Sequence, residues 1–179
     1  MGQSMHVFRV LIETALGAFT VELYPDAAPI TVANFVHYLE NGLYDGGVFH
    51  RTVTMQNQPN NDVKIEVIQG GVHPDRSDEL GDPISLERTS VTGLSHSDGA
   101  ISMARFEPDS ARGDFFICIG DQPELNFGGR RNPDGQGLAA FGTVITGKEV
   151  VRSIQQSRHD EQRLTPSVTI QRIRRVECR

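Results

Sequence analysis

Eight short runs rich in β-branched and aromatic residues, divided by glycine- and proline-bearing turns, set the main limit on how this chain can fold. They fall at 6–14, 17–24, 48–53, 63–69, 98–104, 114–119, 139–145 and 166–177. Only two stretches carry the helical period. Val32, Phe35, Val36 and Leu39 keep the i, i+3, i+4, i+7 spacing behind Pro25 and Pro29, with Gly42 as the stop. Val150, Val151 and Ile154 form a second apolar stripe over 148–156, after Gly147. So many short strands predict a mainly β fold, and an open sheet would leave two edges able to pair with other chains. Closing the sheet removes both, so the expected architecture is a closed antiparallel barrel of eight strands capped by two α-helices. The polar segments 57–62, 73–82 and 128–137 read as loops within a single domain spanning 1–179, with residues 1–5 outside its ordered part.

At 179 residues the chain can bury about two-thirds of its unfolded surface and needs no covalent staple. The two cysteines, Cys118 and Cys178, are too few for a disulfide framework and read as unpaired thiols. A hydrophobic content of 37% contains no run of about 20 apolar residues, so no membrane helix is expected. Seventeen Lys and Arg against 23 Asp and Glu give a net charge of −6, the wrong sign for a general nucleic-acid binder. The start of the chain lacks a charged segment followed by an apolar one, so no secretory signal is read. The expectation is a soluble monomer of the cytoplasm or periplasm, with the cytoplasm favoured.

Within the third run, Val48-Phe49-His50-Arg51-Thr52-Val53, a guanidinium stands in an otherwise apolar strand. Ideal alternation puts Phe49, Arg51 and Val53 on one face, where desolvation strengthens each hydrogen bond the arginine makes. Such a group serves either a structural carboxylate or a bound carbonyl or amide. Three other features are weaker. Ser95-His96-Ser97-Asp98 holds triad residue types, yet contiguous residues rarely converge as a triad, so a polar turn is expected. His6, His37, His50, His73, His96 and His159 lack paired metal spacing and predict no zinc site. The run Gly128 to Gly135 lacks the glycine spacing of a phosphate loop and reads as a solvated turn.

Taken in order, Asn34-Phe35, Gly42-Leu43-Tyr44-Asp45-Gly46, Phe49-His50-Arg51, Val67-Ile68-Gln69-Gly70-Gly71, Ala100 to Arg105, Asp114 to Cys118 and Ala140-Phe141-Gly142 resemble the motifs of cyclophilins. The resemblance runs from about residue 6 to residue 177. It implies a cyclophilin-like barrel and peptidyl-prolyl cis/trans isomerisation of proline-containing peptides and of unfolded or flexible proteins, assisting their folding without a cofactor. It assigns catalysis to Arg51, a proline pocket to Phe116, Val67 and Leu125, and support of the arginine or of a substrate carbonyl to Gln69. The main chain of Ala104 and Arg105 is implied to bind the residue before proline, so the Arg105 backbone is expected to matter more than its charge.

The chain also departs from the family pattern. Glu66 falls where a pocket phenylalanine is usual, unless the longer 52–66 connection, expected to be a flexible insertion, supplies Met55 instead. Asp114 stands for a glutamine, Leu138 for a histidine, and Glu124 or Leu125 for the tryptophan of members that bind cyclosporin tightly. Weak cyclosporin binding is therefore expected. Should Glu66 pair with Arg51, or Asp114 disturb the site, the alternative is a proline-peptide binding or chaperone module with reduced catalysis.

Overall fold

The structure, a computed structural model, describes residues 7–177. The expectations for residues 1–5 and for Cys178 lie outside the described residues. Strands β1 (Phe8–Thr14) and β2 (Gly17–Leu23) form the opening hairpin, and helix α1 (Pro29–Glu40) follows. Ala28 at the helix start offers no side-chain cap. Glu87, 56 residues away, instead accepts from Thr31 N and Oγ1 at 2.6 Å each, satisfying an amide that the first turn leaves without a partner.

The remaining strands are β3 (Val48–Val53), β4 (Val67–Gly71), β5 (Ala100–Met103), β6 (Phe115–Cys118), β7 (Ala140–Thr146), β8 (His159–Asp160) and β9 (Arg163–Val176). Helix α2 (Thr89–Thr92) is a single turn, and α3 (Lys148–Gln155) precedes β8. Eight strands close a ring in the order β1-β2-β7-β5-β6-β4-β3-β9, with β9 returning to β1 and every pairing antiparallel. The two-residue β8 only extends the ring beside β9. The closed eight-stranded barrel is therefore present. Among the described residues no helix is long and apolar enough to cross a membrane.

Two elements begin elsewhere than the sequence pattern suggests. The strand expected from 63 starts at Val67, because the buried Gln58 amide takes both the N–H and the C=O of Ile65 and leaves neither for a ladder. The last strand starts at Arg163, where a tight turn pairs it with β8.

Pleating divides the apolar residues between two clusters. On β6, Phe115 and Ile117 point into the barrel while Phe116 and Cys118 point out of it. Inside, Phe35 of α1 meets Phe115 edge-on at 5.5 Å and 83°, a geometry worth about 0.5–1.5 kcal/mol beyond burial. Val151 and Ile154 of α3 join the same interior. Outside the wall, Val53, Ile65, Val67, Phe116, Leu125 and Leu138 make a smaller cluster, and on this the site is built.

Candidate active site

Arg51 does not share a face with Phe49, as simple alternation predicts. The β3–β4 register shifts between them: Phe49 lies opposite Gly70 and Arg51 opposite Gln69, so His50 is an extra residue. Phe49 therefore fills the interior while Arg51 and Val53 face outward. The glycine pair opposite makes room for this. A Cβ on Gly70 would sit 2.8 Å from the Phe49 ring, and one on Gly71 would sit 2.3 Å from a carboxylate oxygen of Asp114.

The Arg51 guanidinium is held at two points. Its Nε donates to Gln162 Oε1 at 3.0 Å and its Nη1 to Gln69 Oε1 at 2.9 Å. Gln69 Nε2 in turn donates to Asp114 Oδ2 at 3.0 Å, and His50 Nε2 reaches the same oxygen at 2.9 Å. Among the described residues no carboxylate lies within salt-bridge distance of Arg51, and its Nη2 makes no hydrogen bond. Burial lowers its pKa from the ordinary arginine value, so the charge is held at a cost in solvation without a counter-ion.

Beside this fork opens a cavity of 310 Å³. Its apolar wall is Ile65, Val67, Phe116, Leu125 and Leu138, with Arg51 and Gln69 on one side and Ala104 on another. Phe116 is backed by His96, whose ring is stacked on it at 5.9 Å and 8°. His96 reaches Asn126 Oδ1 at 2.7 Å and Ser102 Oγ at 2.8 Å, and burial lowers its pKa to about 4. At neutral pH the ring is uncharged. Serine, imidazole and amide here copy the residue types of a nucleophilic triad, yet Ser102 is fully buried, so no substrate reaches it.

Past the end of β5 the main chain is open. Ala104 N donates to Asp114 O at 3.0 Å, but the Ala104 carbonyl and the Arg105 N–H make no hydrogen bond among the described residues. An extended peptide can pair there by β-addition. The arrangement thus offers an apolar slot, a fixed cationic donor and a free backbone edge, with no nucleophile or metal cluster among the described residues that the slot could use.

The family described as cyclophilin type peptidyl-prolyl cis-trans isomerase/CLD matches residues 9–175. The chain belongs to this family. It is 36% identical over 146 residues to a peptidyl-prolyl cis-trans isomerase of Acinetobacter baylyi, covering 81% of this chain and 70% of the relative. Identity is 32% over 163 residues with an isomerase of Streptomyces antibioticus, covering 90% and 92% of the two chains. A cyclophilin of Cryptosporidium parvum has the same fold, with a TM-score of 0.78 at 22% identity over 97% of this chain and 100% of that one.

Set against the cyclophilin motifs, Arg51, Gln69, Val67, Ala104, Arg105, Phe116, Leu125 and Leu138 all line one cavity. Two expected members do not. Asp114 stands behind Gln69 and holds it through the bond above. Glu66 is a correction: alternation turns Ile65, Val67 and Gln69 toward the cavity and Glu66 away, where Gln155 Nε2 donates to its Oε2 at 2.9 Å. Glu66 therefore neither occupies the pocket nor pairs with Arg51. Ile65, and not the exposed Met55, stands in the slot.

The Arg105 side chain has a structural task. Its side chain is 1% exposed and grips Asp134 with two bonds of 3.0 Å, plus the Gly137 carbonyl at 2.6 Å and 3.0 Å. Its charge is a structural staple for the 128–137 loop, and it holds the Asp134 carboxyl below the usual range. The insertion expected to be flexible is likewise tied down. Gln58, 3% exposed, donates to Thr54 O at 2.6 Å and Ile65 O at 2.7 Å, and accepts from Ile65 N and Arg131 Nη1.

Sequence patterns missed Arg131, Phe106 and Gln162. Arg131 and Phe106 line the cavity, and Gln162 holds Arg51. Phe106 is 93% exposed at the cavity mouth, forgoing the ~2 kcal/mol that burial of such a ring gives. Arg131 and Gln162 lie far along the chain from Arg51 and carry no local motif.

Proposed function

We propose that Arg51 is the catalytic residue of a peptidyl-prolyl cis/trans isomerase and that the cavity over Phe116 holds the proline ring. The observation that carries this reading is the position of the guanidinium: part-buried, fixed by Gln69 and Gln162, without a carboxylate, at the lip of an apolar slot. Rotation about a prolyl amide faces a barrier of about 18–20 kcal/mol, because the nitrogen lone pair is delocalised into the carbonyl. A donor that meets this nitrogen, or the carbonyl oxygen, only as conjugation is lost binds the twisted amide more tightly than the planar one. A hydrogen bond to a charged group contributes roughly 1.5–3 kcal/mol, or about one to two decades of rate.

The remainder comes from positioning. Leu125, Leu138, Val67 and Phe116 fix the ring against an apolar wall, and the open backbone at Ala104 and Arg105 anchors the preceding residue while its carbonyl turns. No proton is transferred and no covalent bond forms. A binding module without turnover would require a disabled arginine. Glu66 is engaged by Gln155, and Asp114 by Gln69 and His50, so neither carboxylate competes for Arg51.

The substrates are proline-containing segments of unfolded or flexible proteins, met by the chain acting as a monomer. Cyclosporin binding is weak under this reading, since Glu124 is paired with Arg130 and the buried Leu125 offers no indole where tight binders place one. Exchange on an Ala-Pro peptide, followed by NMR for the wild type and Arg51→Ala, tests the assignment. Wild-type exchange faster than the uncatalysed rate and nearly lost in the variant is the expected result; no acceleration by the wild type sinks the isomerase.

A further inference from the structure

The proline cavity lies in the middle of a row of three. On one side it shares Gln69, Ala104, Arg105 and Phe106 with a hollow of 210 Å³ that Asp114 also lines. On the other it shares Arg51 and Arg131 with a polar groove of 730 Å³, walled by the inserted loop at Asn57 and Asn61 and by the β8–β9 turn at Glu161 and Gln162. A further hollow over Val48 and His50 meets the proline cavity only at Arg51. A peptide whose proline sits over Phe116, with its preceding residue on the Ala104 backbone, therefore continues into the polar groove.

We propose that this groove receives the residue following the proline and that Arg131 selects an acidic side chain there. The proposal rests on the isomerase reading for the direction of the bound chain. Arg131 is fixed through one nitrogen only: Nη1 donates to Gln58 Oε1 at 2.7 Å and to Val63 O at 2.6 Å. Its Nε and Nη2 make no hydrogen bond among the described residues, and no carboxylate there lies within salt-bridge distance of it. Burial and the charge of Arg51 both lower its pKa, so two guanidiniums face one opening and repel each other.

That opening holds a surplus of positive charge in partly desolvated surroundings. A substrate carboxylate relieves it, whereas a substrate ammonium adds to it. Asp160 and Glu161 also border the groove, but both are exposed and stand beyond salt-bridge distance of either guanidinium, so water screens them. A charge-assisted bond to Arg131 predicts a preference of about tenfold for an acidic over a basic residue after proline.

The test uses three peptides that differ only after the proline, Ala-Pro-Glu, Ala-Pro-Gln and Ala-Pro-Lys, and reads ratios between them. For the wild type we expect kcat/KM to favour Glu over Lys by about tenfold, mainly through KM, with Gln between. Arg131→Gln should bring the ratio near one, and Arg131→Lys should restore most of it. Because a loosened loop would slow all three peptides alike, the ratio isolates the charge. A wild-type ratio near one, or a ratio kept by Arg131→Gln, overturns the proposal. Affinities of the same peptides from NMR shift titrations carry the same ratio without turnover. Selective binding with no exchange would sink the isomerase and leave the groove standing; exchange with no selectivity would do the reverse.

Discussion

The imidazole of His96 lies parallel to the ring of Phe116 at 5.9 Å, and the two are bound into one wall by Asn126 and Ser102 behind them. The floor of the proline slot is thus supported by a titratable group that burial keeps neutral. Its folded pKa of about 4 lies below the ordinary value of 6.5, so the unfolded chain binds the extra proton between those limits. Stability should be full above pH 6.5 and fall as pH drops toward 4, by up to about 3 kcal/mol from this residue. Urea unfolding from pH 7.5 to 4.5 measures the loss, and His96→Gln should flatten that part of the profile. An equally steep profile in the variant would place the proton elsewhere.

Gln69 bridges Arg51 and Asp114 with both ends of one amide. Gln69→Leu keeps the size and removes both bonds, leaving Nη1 of Arg51 free to swing. We expect kcat to fall about tenfold while KM changes less, read from NMR exchange at saturating and limiting peptide. An unchanged kcat would mean that Gln162 alone orients the arginine.

Gln58 is a buried amide with all its hydrogen-bonding capacity spent on the inserted loop and Arg131. Gln58→Ala should cost about 2–4 kcal/mol in chemical denaturation, since several buried partners lose their bonds at once. It should also open the loop near Pro59 to limited proteolysis. Stability within 0.5 kcal/mol of wild type, on the order of an ordinary surface change, would show that water replaces the amide at no cost.

Cys118 lies in the outer apolar cluster, and burial pushes its thiol up, away from the reactive thiolate. In a Cys178→Ser background, native protein at pH 8 should react with a thiol reagent no faster than it unfolds, and fully in denaturant. Prompt labelling of the native state would contradict the packing behind the slot.

Much of the fold was legible because the ring needs only short apolar runs and turns, which local composition marks. The members of the slot were legible too, since Val67 and Phe116 sit on apolar motifs, while Leu125 and Leu138 are apolar residues at family site positions beside polar stretches. What stayed hidden depends on counts and distances that no single run carries. The extra residue at His50 has no local signature, so Phe49 and Arg51 read as neighbours on one face. Position along the family motif points to Glu66 for the slot, whereas the alternation Ile65, Val67, Gln69 marks the face that lines it. Gln58 and Arg131 sit in polar stretches that read as solvated loops, and only their meeting across 73 positions gives them a structural role.

The added residue at His50 makes inside and outside in β3 a matter of parity. Pair β3 with β4 residue for residue, without the bulge, and regular pleating would carry the guanidinium into the barrel, among the aromatic rings. Lengthening the loop at its exposed tip, 59–62, beyond the Gln58 anchor, changes only how far the chain wanders before it returns to Ile65. Insertions and deletions should therefore be tolerated very unequally along this stretch, with the few residues of β3 fixed in number and only the tip of the loop beside them free to diversify.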